Sequence, residues 1–275
     1  MKTIIVPVDF STHSENALKV AATLALKHNA TIIAVHMMGL SDAILTKSSA
    51  TDMEGMFYVQ LTKKRFKEFL DNEYLDGINV LQTVKNYTVF SELDEVAREH
   101  AADLIVMGSH GNSGLSELFV GSNTEKVVRT SQTPVLVIKD DAAFNVQKAV
   151  FACDFKKESI DAFTKTMSLF NLLAIKPDLV YINLGGEHFL STSEIDKRIA
   201  DFIVHMQGMH LKPQDITIYA DYTVESGVFN YAAKTKADLI ALPTHGRRGM
   251  AHFFSGSIGE DIVNHSKLPV LTVKI

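Results

Sequence analysis

Two stretches of this 275-residue chain combine reactive residue types with a suggestive spacing. One is Asp9, a carboxylate that follows the apolar run Thr3 to Val8. The other begins Gly108-Ser109-His110-Gly111 and resumes, nine residues later, as Gly121-Ser122-Asn123-Thr124. Glycines let a backbone approach a phosphate with no Cβ in the way, and the unpaired N–H groups at a helix start attract anions. Ser122 and Thr124 add hydroxyls, and a carboxylate such as Asp9 accepts hydrogen bonds from ribose hydroxyls. Each glycine alone is an ordinary turn residue; the spacing, taken with Asp9, points to a phosphorylated nucleoside. No nucleophile or paired carboxylate accompanies His110 or its later counterpart His245, so both are expected to stabilise loops through hydrogen bonds.

Apolar runs alternating with amphipathic stretches must position these residues. Strands are expected over 3–8, 30–37, 78–84, 103–107 and 134–138. Helices are expected from Ser11 or Thr12 to His28, with Glu15 completing a capping box, and over about 51–72, 92–100 and 122–130. Near-continuous apolar strands joined by helices imply a parallel sheet covered on both faces. In such sheets ligands gather beyond the carboxyl ends of the strands, where Asp9 and the 108–124 loop both lie.

The pattern then repeats. Residues 102 to 139, laid without gaps on 237 to 274, match at 17 of 38 positions, and Val8-Asp9-Phe10 is answered by Cys153-Asp154-Phe155. The expected architecture is therefore two tandem doubly wound α/β domains, 1–143 and 144–275. Strands are expected over 148–152, 178–184, 215–220, 238–242 and 269–274, and helices over 157–172, 193–207, 227–235 and 257–266.

The loop glycines, the Gly-Ser pair and the Asp-Phe after the first strand resemble the ATP-binding signature of universal stress proteins, over essentially the whole chain. That resemblance implies five-stranded parallel sheets in the order 3-2-1-4-5, with nucleotide across the first and fourth strands. It implies Pro7 and Asp9 on the ribose side and the main chain of Met37 at the adenine. Met107 and Gly108 would flank the nucleoside, and His110, Gly111, Gly121, Ser122, Asn123 and Thr124 would hold phosphates. The implied cofactor is ATP, with Mg or Mn as its companion ion. Three roles stay open: a nucleotide-responsive regulator or binding module in the stress response, a slow ATPase, and a nucleotide-free scaffold.

Copy two keeps Asp154, Gly246, Gly256 and Ser257 but has Pro243 where copy one has Gly108, and Gly259 where it has Thr124. Proline adds ring bulk and lacks an N–H, so weak or absent nucleotide binding is expected there. Arg247 and Arg248 suit a solvated turn. His205 and His210, five apart, are poorly spaced for ligands on one helical face. Met37 and Met38, with Met53 and Met56, suit either core or the wall of a base pocket, and core is favoured. The connection Lys139 to Lys148 is short, so the last strand of each copy is expected to face the other about a pseudo-twofold axis.

Composition narrows the field further. A net charge of -5 with no Trp gives no footprint for nucleic acid, and the single Cys153, expected to be inert packing, excludes a disulfide framework or a Cys-rich zinc module. No apolar run reaches the ~20 residues of a membrane span, and the N-terminal run is shorter than a signal core. The expectation is a cytoplasmic protein.

Overall fold

The structure is a computed structural model that describes residues 1–37, 50–85, 93–109, 121–139, 144–206, 210–244 and 256–275. Contacts divide the chain into two compact units, Met1–Val127 with Val137–Ala143, and Val128–Leu136 with Phe144–Ile275.

In the first repeat, β1 (Thr3–Pro7), β2 (Thr31–Met37), β3 (Val80–Lys85), β4 (Leu104–Gly108) and β5 (Val135–Ile138) take the order β3-β2-β1-β4-β5. Their connections carry α1 (Thr12–His28), α2 (Ala50–Leu70), α3 (Leu93–Glu99) and α4 (Ser122–Thr130). The second repeat has β6 (Ala149–Ala152), α5 (Ile160–Leu173), β7 (Pro177–Leu184), α6 (Thr192–His205) and β8 (Ile216–Asp221). It continues with α7 (Val224–Thr235), β9 (Leu239–Thr244), α8 (Gly256–His265) and β10 (Val270–Lys274), in the order β8-β7-β6-β9-β10. This is the expected 3-2-1-4-5 order twice over. Pairing is parallel wherever the register is defined, as in Pro7 opposite Val35 and Ala152 opposite Val180.

The central strands are apolar because both faces are covered. Ile4, Ile5, Val6, Ile105 and Val106 are fully buried, and so are Val150 and Phe151 in the second unit. A recurrent stitch at the amino end explains why Ala-Asp-Leu-Ile appears twice. Asp103 Oδ2 accepts from the N–H groups of Lys2 and Thr3, the latter at 3.1 Å, and Asp238 Oδ2 accepts from Gln147 and Lys148, both at 3.0 Å. Each aspartate thereby satisfies N–H groups at the entry to the neighbouring strand.

Three helix starts differ from the sequence expectation, one of them by position alone: α7, expected from 227, opens at Val224 behind its cap Thr223. Ser11 caps α1 through its hydroxyl and the Ser14 N–H (3.2 Å), which leaves Glu15 one position too far on to close a capping box. Glu15 instead pairs with Lys19 at 2.8 Å, one turn along. In the second repeat the segment expected as one helix from 157 opens as a 3-10 turn, Lys157–Ser159, and becomes α-helical only at Ile160.

Cys153 follows β6 and is buried. Burial pushes its thiol well above the ordinary range, and the neighbouring Asp154 charge adds to this. We expect a thiol reagent at pH about 8 to leave the native chain untouched and to label it once denatured. Rapid labelling of the folded protein would contradict the packing described.

Candidate functional site

The turn after β1 sets the first half of the site. Phe10 adopts φ +64, a left-handed conformation that a bulky residue enters only when its surroundings hold it there. Its ring packs against His36 (4.7 Å between centroids) and edge-on to Phe66 (5.2 Å) and Phe69 (5.6 Å) from α2. Phe10 thus anchors the turn on one side while Asp9, on the other, lines a cleft. Asp9 Oδ1 accepts from the Ser11 N–H (3.0 Å) and hydroxyl (2.5 Å), which fixes the carboxylate against the start of α1.

The end of β4 and the start of α4 set the second half. The N–H of Gly121 donates to Ser109 O (2.8 Å), and the Thr124 hydroxyl donates to Gly108 O (3.0 Å). These two bonds tie the helix start to the strand end. Glu125 N–H bonds to Gly121 O at 3.2 Å, so among the described residues the N–H groups of Ser122, Asn123 and Thr124 make up the first turn, which no intrahelical carbonyl reaches. Thr124 is buried with its hydroxyl committed to the strand, whereas Ser122 and Asn123 are exposed.

The cleft between these halves is lined by Pro7, Val8, Asp9, Ser14, Val35, His36, Met37, Met107, Gly108, Gly121, Ser122, Asn123 and Thr124, and has a cavity volume of about 100 Å³. Every site residue expected from the sequence that the structure describes is in that lining. His110 and Gly111 lie outside the described residues, as do Met38, His245, Gly246, Arg247 and Arg248. Val8, Ser14, Val35 and His36 were not singled out from the sequence. For His36 a signal existed, because it is the polar residue in the otherwise apolar run Ala34-Val35-His36-Met37. No lysine or arginine appears among the described lining residues, so an anion here would meet backbone N–H groups, hydroxyls and the positive end of the α4 dipole.

Gly108 serves packing as well as access. A Cβ at this position would lie 2.6 Å from His13 O and 2.8 Å from His13 C, in the first turn of α1. In the second repeat Pro243 occupies the corresponding place, and the chain after β6 turns through Lys157–Ser159 before its helix begins. Gly259 replaces Thr124, and a Cβ there would meet Thr244 Cγ2 at 2.7 Å, so the Thr244 methyl fills the space near α8 that a side chain at 259 would need.

A family model described as "Universal stress protein family" matches residues 1–139 and 212–274. The chain belongs to the universal stress protein family. Members similar to it along its whole length include Universal stress protein Slr1230 of Synechocystis, 21% identical over 296 residues and covering 100% of both chains. A shorter relative, Universal stress protein MJ0577 of Methanocaldococcus jannaschii, is 31% identical over 154 residues, covering 50% of this chain and 94% of its own. Among solved structures, a universal stress protein from Archaeoglobus fulgidus aligns over 99% of this chain and 98% of its own, with a TM-score of 0.64 at 18% identity. Half-length relatives and full-length ones together fit a family unit present twice in this chain. Among the described residues no helix is long and apolar enough to cross a membrane, and no group of three or more His, Cys, Asp or Glu side chains is gathered as a metal site.

Proposed function

We propose that the first unit binds an adenine nucleotide, ATP with Mg or Mn, and that the chain works as a nucleotide-responsive regulator or binding module in the cytoplasmic stress response. The observation that carries this reading is the convergence of Asp9 and the Gly121–Thr124 helix start on one cleft, from segments more than a hundred residues apart. In it, phosphates rest on the first-turn N–H groups of α4, the ribose hydroxyls face Asp9, and Met37 with Met107 flanks the base. With no lysine or arginine among the described lining residues, the divalent ion offsets phosphate charge that the helix dipole only partly balances. Membership of the family supports the stress-response role.

The direct test is to heat-denature the purified chain and identify any nucleotide released, then to titrate the nucleotide-free protein with MgATP by calorimetry. Gly121→Val should weaken binding at least about tenfold, because it places a branched side chain where the backbone approaches phosphate. Unchanged affinity in that variant would remove the phosphate assignment. The same titration should give about one site per chain, since Pro243 and Gly259 alter the corresponding place in the second unit. Two equivalent sites would show that the proline is tolerated.

A further inference from the structure

His36 Nδ1 lies 2.6 Å from Val8 O, and because a carbonyl only accepts, Nδ1 is the ring nitrogen that carries the proton. The Val8 N–H is already paired with Val35 O at 2.8 Å. His36 therefore holds the residue before Asp9 through a hydrogen bond and the residue after it through ring contact with Phe10. The two grips bracket the carboxylate that lines the cleft.

The second unit shows what the same turn does without such a histidine. Cys153 N–H donates to Val180 O at 3.1 Å, the counterpart of Val8 to Val35, which sets Tyr181 at the register position of His36. The Tyr181 hydroxyl is met by Arg198 at 3.2 Å. Phe155 still has φ +50 and still packs on aromatic rings, Phe163 and Phe202. Asp154 Oδ1 accepts from the N–H two residues on, Lys156 (3.1 Å), as Asp9 Oδ1 does from Ser11, but Asp154 is buried, with Oδ1 also accepting from the Ser159 hydroxyl (2.6 Å) and Oδ2 3.8 Å from the Lys156 ammonium. The Asp-Phe turn survives in both units, while the carboxylate lines a cleft in the one that has the histidine.

We propose that His36 is a positioning residue that holds the Asp9 carboxylate in the cleft, and that ribose recognition by the first unit depends on it. This rests on the nucleotide reading above, and the experiment separates the two. Three full-length variants are compared with the unaltered chain: His36→Asn keeps an N–H donor near the Nδ1 position, His36→Phe keeps a ring without a donor, and His36→Tyr installs the residue of the second unit. Calorimetry gives affinities for ATP, 2′-deoxyATP, 3′-deoxyATP and inorganic triphosphate, and crystal structures of the ligand-free variants give the Asp9 orientation.

The unaltered chain should prefer ATP to at least one deoxy analogue by about tenfold, the effect of one lost charge-assisted hydrogen bond. His36→Phe and His36→Tyr should bring that ratio close to unity while triphosphate affinity holds, and His36→Asn should restore most of it. In the ligand-free His36→Phe structure the Asp9 carboxylate should leave the cleft and become buried, as Asp154 is. A preserved ratio in His36→Phe, an equal loss in His36→Asn, or an Asp9 that keeps its place in the ligand-free variant would each overturn the proposal. Should the unaltered chain bind no nucleotide, the functional reading fails, and the ligand-free structures still decide whether His36 holds Asp9.

Discussion

Gly108→Val should destabilise the first unit by about 3 kcal/mol, the upper part of the range for forcing added atoms into a packed site, and abolish the proposed nucleotide binding. The added Cβ would come within 2.6 Å of His13 O, a backbone atom of a helix that packs along β1 and β4. Relief requires moving the start of α1, and with it Ser11, whose N–H and hydroxyl hold Asp9. Fold and cleft should therefore fail together. Differential scanning calorimetry would read a fall in melting temperature on the order of 10 °C, and titration with MgATP would read the lost site. A variant that keeps its melting temperature would show that the start of α1 moves aside at little cost.

A comparable loss is expected in the second unit from Phe163→Ala. Phe163 is fully buried, stacked on Phe151 at 5.0 Å and in contact with Phe155 (6.0 Å) and Phe202 (5.2 Å). Removing a buried phenylalanine costs about 3–5 kcal/mol through lost burial and the cavity left behind. Here two further aromatics lose a neighbour, and Phe155 loses part of what holds its left-handed backbone. Urea denaturation followed by circular dichroism should show the midpoint of the second unit moving to lower urea with little change in slope. A loss below about 1 kcal/mol would mean that the cluster repacks around the gap.

The fold was legible because burial writes itself into the sequence. Strands covered on both faces must be apolar throughout, and the Ala-Asp-Leu-Ile and Asp-Phe anchors fixed the repeat. The glycine loop was legible through its spacing, since the described residues it named do meet Asp9 across one cleft. What stayed hidden depends on register. His36 meets Val8 only because the parallel pairing of β1 and β2 brings together residues 28 apart in sequence. The left-handed turn at Phe10 was equally hidden, because an ordinary phenylalanine carries no mark of positive φ. The choice between Ser11 and Thr12 as helix cap decided whether Glu15 could close a capping box, and two adjacent hydroxyl residues leave that choice to the backbone.

The aspartate stitch at the amino end of the strands has a bearing on how such a chain can change. Asp103 and Asp238 secure the end of each sheet opposite the one that carries Asp9, Gly108 and their counterparts. A tandem protein of this kind separates its scaffolding from its chemistry along the strand axis. Innovation at one pole leaves the other pole to keep the architecture. The second copy illustrates the outcome: it has exchanged Gly108 for Pro243, Thr124 for Gly259 and His36 for Tyr181, yet Asp238 still gathers the same pair of amides. Change confined to the carboxyl pole would let the two halves differ in what they hold while sharing one scaffold.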